Sequence, residues 1–230
     1  MIDVENYFRK GYHSGPITDI ILDTQNLDLH IAKIRKSSEN RNQNLSSYWH
    51  CIHGEVGNQY STKLLPHEID ERMIITKENG YDVDQQWWEL DRSDLIDSTK
   101  FFRSRVEAFV AKIYPEVSIW LDNYHHQDMF TLYEPGDFSK LHRDGKNPGR
   151  LCVILIYLND PAEYNDHGGK LIISDEGLYE EFLPIKGTYV MMDFTLFNIM
   201  HSVETVKDGF DRYTYVDFVS NITKMNNQPN

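Results

Sequence analysis

From about residue 120 the chain becomes a succession of short β-type runs divided by turn residues, and this pattern constrains the fold more than any other feature. The runs are MFTLY (129–133), RLCVILIYL (150–158), GKLIIS (169–174), EEFLPI (180–185), GTYVMMDF (187–194) and RYTYVDFVS (212–220). Many short strands without intervening helical segments point to a sandwich or barrel of antiparallel strands. RLCVILIYL is apolar throughout, as expected of a strand covered on both faces.

Residues 1–120 read as helix and loop, with Ser37–Ser47 (SSENRNQNLSS) the clearest polar break. The firmest helix is Asp94–Tyr114, where Leu95, Phe102, Val106, Phe109, Val110 and Ile113 recur at three- and four-residue spacings. Pro115 ends it, because proline cannot donate to a continuing helix and restricts the residue before it. The expectation is one domain over 1–230: mostly helical support and loops over 1–120, a β core over 121–220 and a polar tail over 221–230.

The chain is 40% hydrophobic and 13% aromatic, which is a globular composition. Its 23 basic and 36 acidic residues give a net charge of −13. Nucleic acid and anionic membranes are polyanions, so neither is an expected partner. Cys51 and Cys152 are too few for a disulfide scaffold, and Cys152, inside LCVILIYL, reads as a buried thiol. The opening MIDVENYFRKGYHSG lacks an apolar signal-peptide core, and no stretch reaches the ~20 apolar residues that span a bilayer. A cytoplasmic location is expected.

Two His-x-Asp triplets occur, His126-Gln127-Asp128 and His142-Arg143-Asp144. On a strand, residues i and i+2 share a face, so such a triplet can offer an imidazole and a carboxylate to one metal. Two histidines and one carboxylate suit iron(II) and leave coordination positions open. The first triplet runs straight into MFTLY and reads as a polar lead-in to that strand. The second lies between the turn-forming EPGDFS and KNPG, at a strand mouth, and is the stronger candidate. A third ligand must come from a strand distant in sequence. His167, in DHGGK, reads as a solvated loop residue; His201 follows GTYVMMDF and leads toward the last strand. Taken alone, His201 reads as a satisfied histidine at a strand edge. Arg212 and Thr214 share a face of that last strand. An inward Arg212 would require an anion, whereas an outward one would pair with surface acids, and alternation leaves both open.

The order YEPGDFSKLHRD, RLCVILIYLND, GGKL, HSVETV and RYT resembles the iron/2-oxoglutarate dioxygenases of the prolyl 4-hydroxylase-like group, in particular the hypoxia-factor prolyl hydroxylases and their bacterial relatives. The resemblance covers roughly Asp128 to Ser220. It implies a double-stranded β-helix, or jelly roll, with supporting N-terminal helices. It further implies Fe(II) held by His142, Asp144 and His201, with 2-oxoglutarate and O2 as co-substrates and ascorbate as a possible accessory. Arg212 would pair with the distal carboxylate of 2-oxoglutarate, helped by Tyr157, with Tyr133 nearby and Thr214 as an extra donor. Leu171 and Val203 would line the pocket. The implied activity is hydroxylation of a C–H bond with release of succinate and CO2, on a prolyl residue of a peptide or protein. The family's tyrosine three residues before the first histidine is Ser139 here, and its tryptophan after the arginine is Phe218. Both departures bear on the substrate.

Two alternatives stand beside this reading: a hydroxylase of a free amino acid or small metabolite on the same core, and a non-catalytic metal-binding jelly roll. Trp87-Trp88 reads as a packing anchor, His125-His126 as solvated or a strand lead-in, and Asp175, Glu176, Glu180 and Glu181 as a solvated loop face.

Overall fold

Among the described residues of the computed structural model every strand pairing is antiparallel, and one hydrogen-bonded ladder links them. The structure describes residues 4–39, 49–54, 85–90, 95–114, 124–144, 150–175, 177–194, 197 and 199–221; at 4, 49–54, 85–90, 124–125 and 221 only the backbone is described. The strands are β1 (Tyr12–Pro16), β2 (Trp49–Gly54), β3 (Gln85–Leu90), β4 (Tyr124–Tyr133), β5 (Phe138–His142), β6 (Arg150–Tyr157), β7 (Leu171–Asp175), β8 (Leu178–Phe182), β9 (Thr188–Asp193), β10 (His201–Val203) and β11 (Arg212–Asn221). Their order is β1-β9-β6-β11-β4-β3-β5-β10-β7-β8, with β2 on β3. β3 gives Trp88–Leu90 to β4 and Gln85–Gln86 to β5, which joins the two halves of the ladder. Its two ends approach each other: Tyr12 of β1 packs edge-on against Phe182 of β8 and donates to Glu180 Oε1 at 3.0 Å. This is a jelly roll.

The helices are α1 (Val4–Lys10), α2 (Thr24–Ser38) and α3 (Ile96–Ile113). Asp23 caps α2 by accepting from Asn26 N at 3.1 Å, and Leu27, Ile31 and Ile34 fall on its buried stripe. The predicted helix over 94–114 is α3, with Phe102, Val106, Phe109, Val110 and Ile113 buried. Phe102 stacks on Tyr215 of β11 (4.8 Å between ring centres) and Phe109 meets Tyr189 of β9 edge-on.

Alternation along the strands separates two cores. On β6, Cys152, Ile154 and Ile156 join the helix-packed core, whereas Val153, Leu155 and Tyr157 line the interior of the roll. On β11, Tyr213, Tyr215 and Val219 face the helices, while Val216 and Phe218 face the interior. Arg212 and Thr214 share the parity of Val216, so they point inward.

Two expectations need correction. The first 120 residues hold β1, β2 and β3 as well as helices. β1 (YHSGP) is short, polar and at an edge, so it carries neither an apolar run nor strong strand propensity; β2 (WHCIHG) and β3 (QQWWEL) are six residues each and flanked by polar sequence. Second, His126 lies within β4 and is buried with Asp128, under α3. His126 pairs with Asp217, and Arg103 forks onto Asp128, so the apparent lead-in is an interior charge cluster. The side chains of Trp87, Trp88 and His125 lie outside the described residues. No helix among the described residues is long and apolar enough to cross a membrane.

Candidate active site

β10 is only three residues long, yet it sets the geometry of the site. It pairs with β5 so that His201 stands opposite His142, and with β7 so that His201 stands opposite Ile173. Between His201 and Val203 the register to β5 slips: Val203 faces Ser139, so three steps on β5 match two on β10. Such a bulge re-aims the side chain beside it. The two imidazole rings lie 4.4 Å apart between centres. Asp144 follows β5, beyond the last paired residue, and places one oxygen 3.6 Å from His142 Nε2 and the other 3.7 Å from His201 Nε2. Those gaps are within the ~4 Å that two metal–ligand bonds of about 2.1 Å can span. Among the described residues, these three are the one His/Cys/Asp/Glu group that could hold a metal ion.

Both imidazoles are oriented by the backbone. His142 Nδ1 lies 2.8 Å from the Lys140 carbonyl and His201 Nδ1 lies 3.0 Å from the Ile199 carbonyl. A carbonyl can only accept, so each Nδ1 carries a proton and each Nε2 is left as a lone-pair donor facing Asp144. Burial lowers the His201 pKa and favours the neutral ligand form. Burial works to raise the Asp144 pKa, but His201, His142 and the Arg150 guanidinium outweigh it and hold the carboxyl below its usual range. The site is thus two neutral nitrogen donors and one anion, a hard-to-borderline set suited to a divalent first-row metal.

Further along the same interior lies a set of polar groups without partners. Arg212 is 1% exposed. Its Nε donates to the Gly169 carbonyl at 2.7 Å, and its guanidinium lies 4.9 Å from the centre of the Tyr133 ring and 5.5 Å from that of Tyr157. Its Nη2, the Tyr157 hydroxyl and the Thr214 hydroxyl are all buried with no hydrogen-bond partner. Burial pushes the Tyr157 hydroxyl up to about 12 despite the nearby guanidinium, so it remains a proton donor. Three orphaned donors in one apolar interior form a receptor for an anion. Gly168 and Gly169, both at φ 70°, make the approach possible: a Cβ on Gly168 would sit 2.2 Å from the Thr205 carbonyl oxygen, and one on Gly169 3.0 Å from Arg212 Cδ. Leu171, fully buried, pairs with Val203 across the ladder, and both line the interior between this receptor and the metal ligands.

Residues 128–220 match the family model described as the 2OG-Fe(II) oxygenase superfamily. No curated protein matches the chain. Among solved structures, this chain resembles a prolyl hydroxylase from Trichoplax adhaerens in complex with a hypoxia inducible factor oxygen degradation domain peptide fragment (15% identity, TM-score 0.63, covering 99% of this chain and 91% of that one). It also resembles a Pseudomonas putida prolyl-4-hydroxylase (14% identity, TM-score 0.52, covering 95% and 96%) and an oxidoreductase of the 2OG-Fe(II) oxygenase family from Burkholderia pseudomallei (17% identity, TM-score 0.51, covering 94% and 87%). At these identities the likeness establishes the fold.

Every residue singled out from the sequence for the oxygenase site (His142, Asp144, His201, Arg212, Tyr157, Tyr133, Thr214, Leu171 and Val203) lies at the metal group or along the interior of the roll. Sequence reasoning missed Arg150. It opens β6 and faces Phe218 (4.2 Å from its guanidinium carbon to the ring centre) and Phe194, and its charge acts on Asp144. Its Nε is buried without a partner. A cation at the head of an otherwise apolar strand was the available signal. His167 stacks on Phe210 at an interplanar angle of 7° and is not among the metal group.

Proposed function

We propose that this chain is an Fe(II)- and 2-oxoglutarate-dependent oxygenase that hydroxylates a substrate C–H bond, with a prolyl residue of a peptide or protein as the favoured substrate. The observation that carries the reading is the pairing of a one-sided metal group with an orphaned anion receptor in the same interior. A metal-binding module without turnover has no use for the receptor. A dicarboxylate that chelates the metal at one end and reaches Arg212 at the other satisfies both.

In this reading His142, Asp144 and His201 hold the metal, their protons already placed on the Nδ1 side. Arg212, Tyr157 and Thr214 donate to the distal carboxylate of 2-oxoglutarate, Tyr133 stacks on the guanidinium, and Leu171 and Val203 keep water from the methylene chain between. Iron and 2-oxoglutarate, once bound, supply the oxidation, in which O2 gives one oxygen atom to the co-substrate, yielding succinate and CO2, and the other to the substrate. Ascorbate would keep the iron ferrous. Arg150, half-buried against Phe194 and Phe218 beside Asp144, is placed to donate to a carbonyl or carboxylate of the substrate, which suits a peptide and also a free amino acid. The likeness to a prolyl hydroxylase that holds a peptide fragment favours the peptide.

The test is an anaerobic titration of the metal-stripped protein with iron(II) and 2-oxoglutarate, followed by the visible charge-transfer band, and then succinate release with proline peptides and with free proline. A band that is absent from Asp144→Ala supports the metal assignment; wild type without a band refutes the oxygenase reading. Succinate release driven by free amino acids but not by peptides would move the substrate to the smaller class.

A further inference from the structure

Asp144 sits past the end of β5, so no ladder bond fixes it, and His201 begins a strand of only three residues. Something else must hold these segments in place. β7 ends in Asp175, two residues beyond Ile173, which stands opposite His201. The Asp175 carboxylate accepts both guanidinium nitrogens of Arg143, at 2.7 and 2.6 Å, and also the backbone N–H of Met200 at 3.2 Å. Arg143 lies between the ligands His142 and Asp144, and Met200 immediately precedes the ligand His201. The Ser174 N–H reaches the Met200 carbonyl at 3.0 Å, so the lead-in to His201 is gripped by two successive residues of β7. The forked pair fixes the orientation of Arg143.

We infer that Asp175 is a positioning residue for the metal centre, one carboxylate that ties the His142–Asp144 segment to the segment that presents His201. The inference rests on the oxygenase reading above. Asp175 and Arg143 make this link through their own side chains and the Met200 N–H. They act by holding two backbones at the separation a single ion requires. The Asp175 side chain is 16% exposed and that of Arg143 40%, so the pair adds little to global stability, and its effect falls on the site.

Iron(II) affinity of the metal-stripped full-length chain, measured by anaerobic equilibrium dialysis, tests this together with the melting temperature of the metal-free protein. Asp175→Ala is expected to weaken iron(II) binding by ~10–100-fold, the range for partners that orient a metal's ligands. Arg143→Ala should give a similar loss, and the double variant should be no worse than the single ones, because they break the same link. Asp175→Asn keeps an acceptor for Met200 and should fall between. Metal-free melting temperatures should stay within about 4 °C of wild type. Wild-type affinity in Asp175→Ala, additive losses in the double variant, or a melting temperature that falls in step with affinity would each overturn the positioning role while leaving the oxygenase reading intact. Wild type that takes up no iron would overturn that reading, and this one with it.

Discussion

Arg212 is a guanidinium inside a barrel, with one nitrogen bonded to a carbonyl and another without a partner. A buried cation of this kind is costly to the empty protein and useful to the liganded one. Arg212→Met is therefore expected to leave the ligand-free melting temperature within about 4 °C of wild type or to raise it, and to abolish the stabilisation by 2-oxoglutarate. Differential scanning fluorimetry with and without the co-substrate checks both halves; a large ligand-free drop would make Arg212 a structural residue. The sequence showed that Arg212 and Thr214 share a face but not which face, because β11 is flanked on both sides by apolar neighbours. The answer depended on which of Tyr215 and Val216 meets the helices. His142, Asp144 and His201 were legible as types in order. The bulge that turns His142, and the pairing of His201 with it, were not, because register is a property of two strands and neither encodes it alone.

At the level of elements, α3 is fastened to the sheet by charge as well as by hydrocarbon. His126 and Asp128 of β4 and Tyr215 and Asp217 of β11 meet Arg103 and Glu107 of α3. Burial works against a charged His126, yet its 2.7 Å bond to Asp217, with Glu107 adding, raises its pKa above the ordinary value. A histidine whose pKa is higher folded than unfolded contributes fully below the unfolded value of about 6.5 and loses that contribution as pH rises through the folded value. Thermal stability of wild type should thus decline from pH 6.5 upward more steeply than that of His126→Gln. Parallel melting profiles for the two would show that the imidazole carries no folding-linked proton. The periodicity of α3 was plain in the sequence, since an amphipathic helix writes its buried face at fixed intervals. The polar seam beneath it was not, since histidine beside aspartate resembles a solvated approach to a strand until the facing Asp217 is known. β1 escaped notice because its pairing with β9, and not its own residues, makes it a strand.

For the whole molecule, the jelly roll keeps its ligands and its helix-packed core on opposite sides of shared strands, so filling the site should be felt by the entire fold. Iron(II) with 2-oxoglutarate at about 100 times the dissociation constant would add about 2.7 kcal/mol. For a chain of this size that corresponds to a rise in melting temperature of roughly 5–10 °C, reversed by a chelator. No shift under saturating conditions would contradict ligand binding to the folded interior. Fold class was readable because six β-type runs in sequence leave few architectures open. The joining role of β3, which serves both halves of the ladder, was hidden in a region that reads as helix and loop.

The alternation along β11 has an evolutionary consequence. Odd positions face the helices, through hydrocarbon at Tyr213, Tyr215 and Val219 and through charge at Asp217, and even positions face the interior of the roll. Losing one residue from this strand would do two injuries together, driving a guanidinium among the helix side chains and a tyrosine ring into the space meant for the reactant. Exchanges restricted to the even positions do neither. Descendants of this chain can therefore acquire a taste for new reactants one alternate residue at a time, while inheriting the scaffold unchanged.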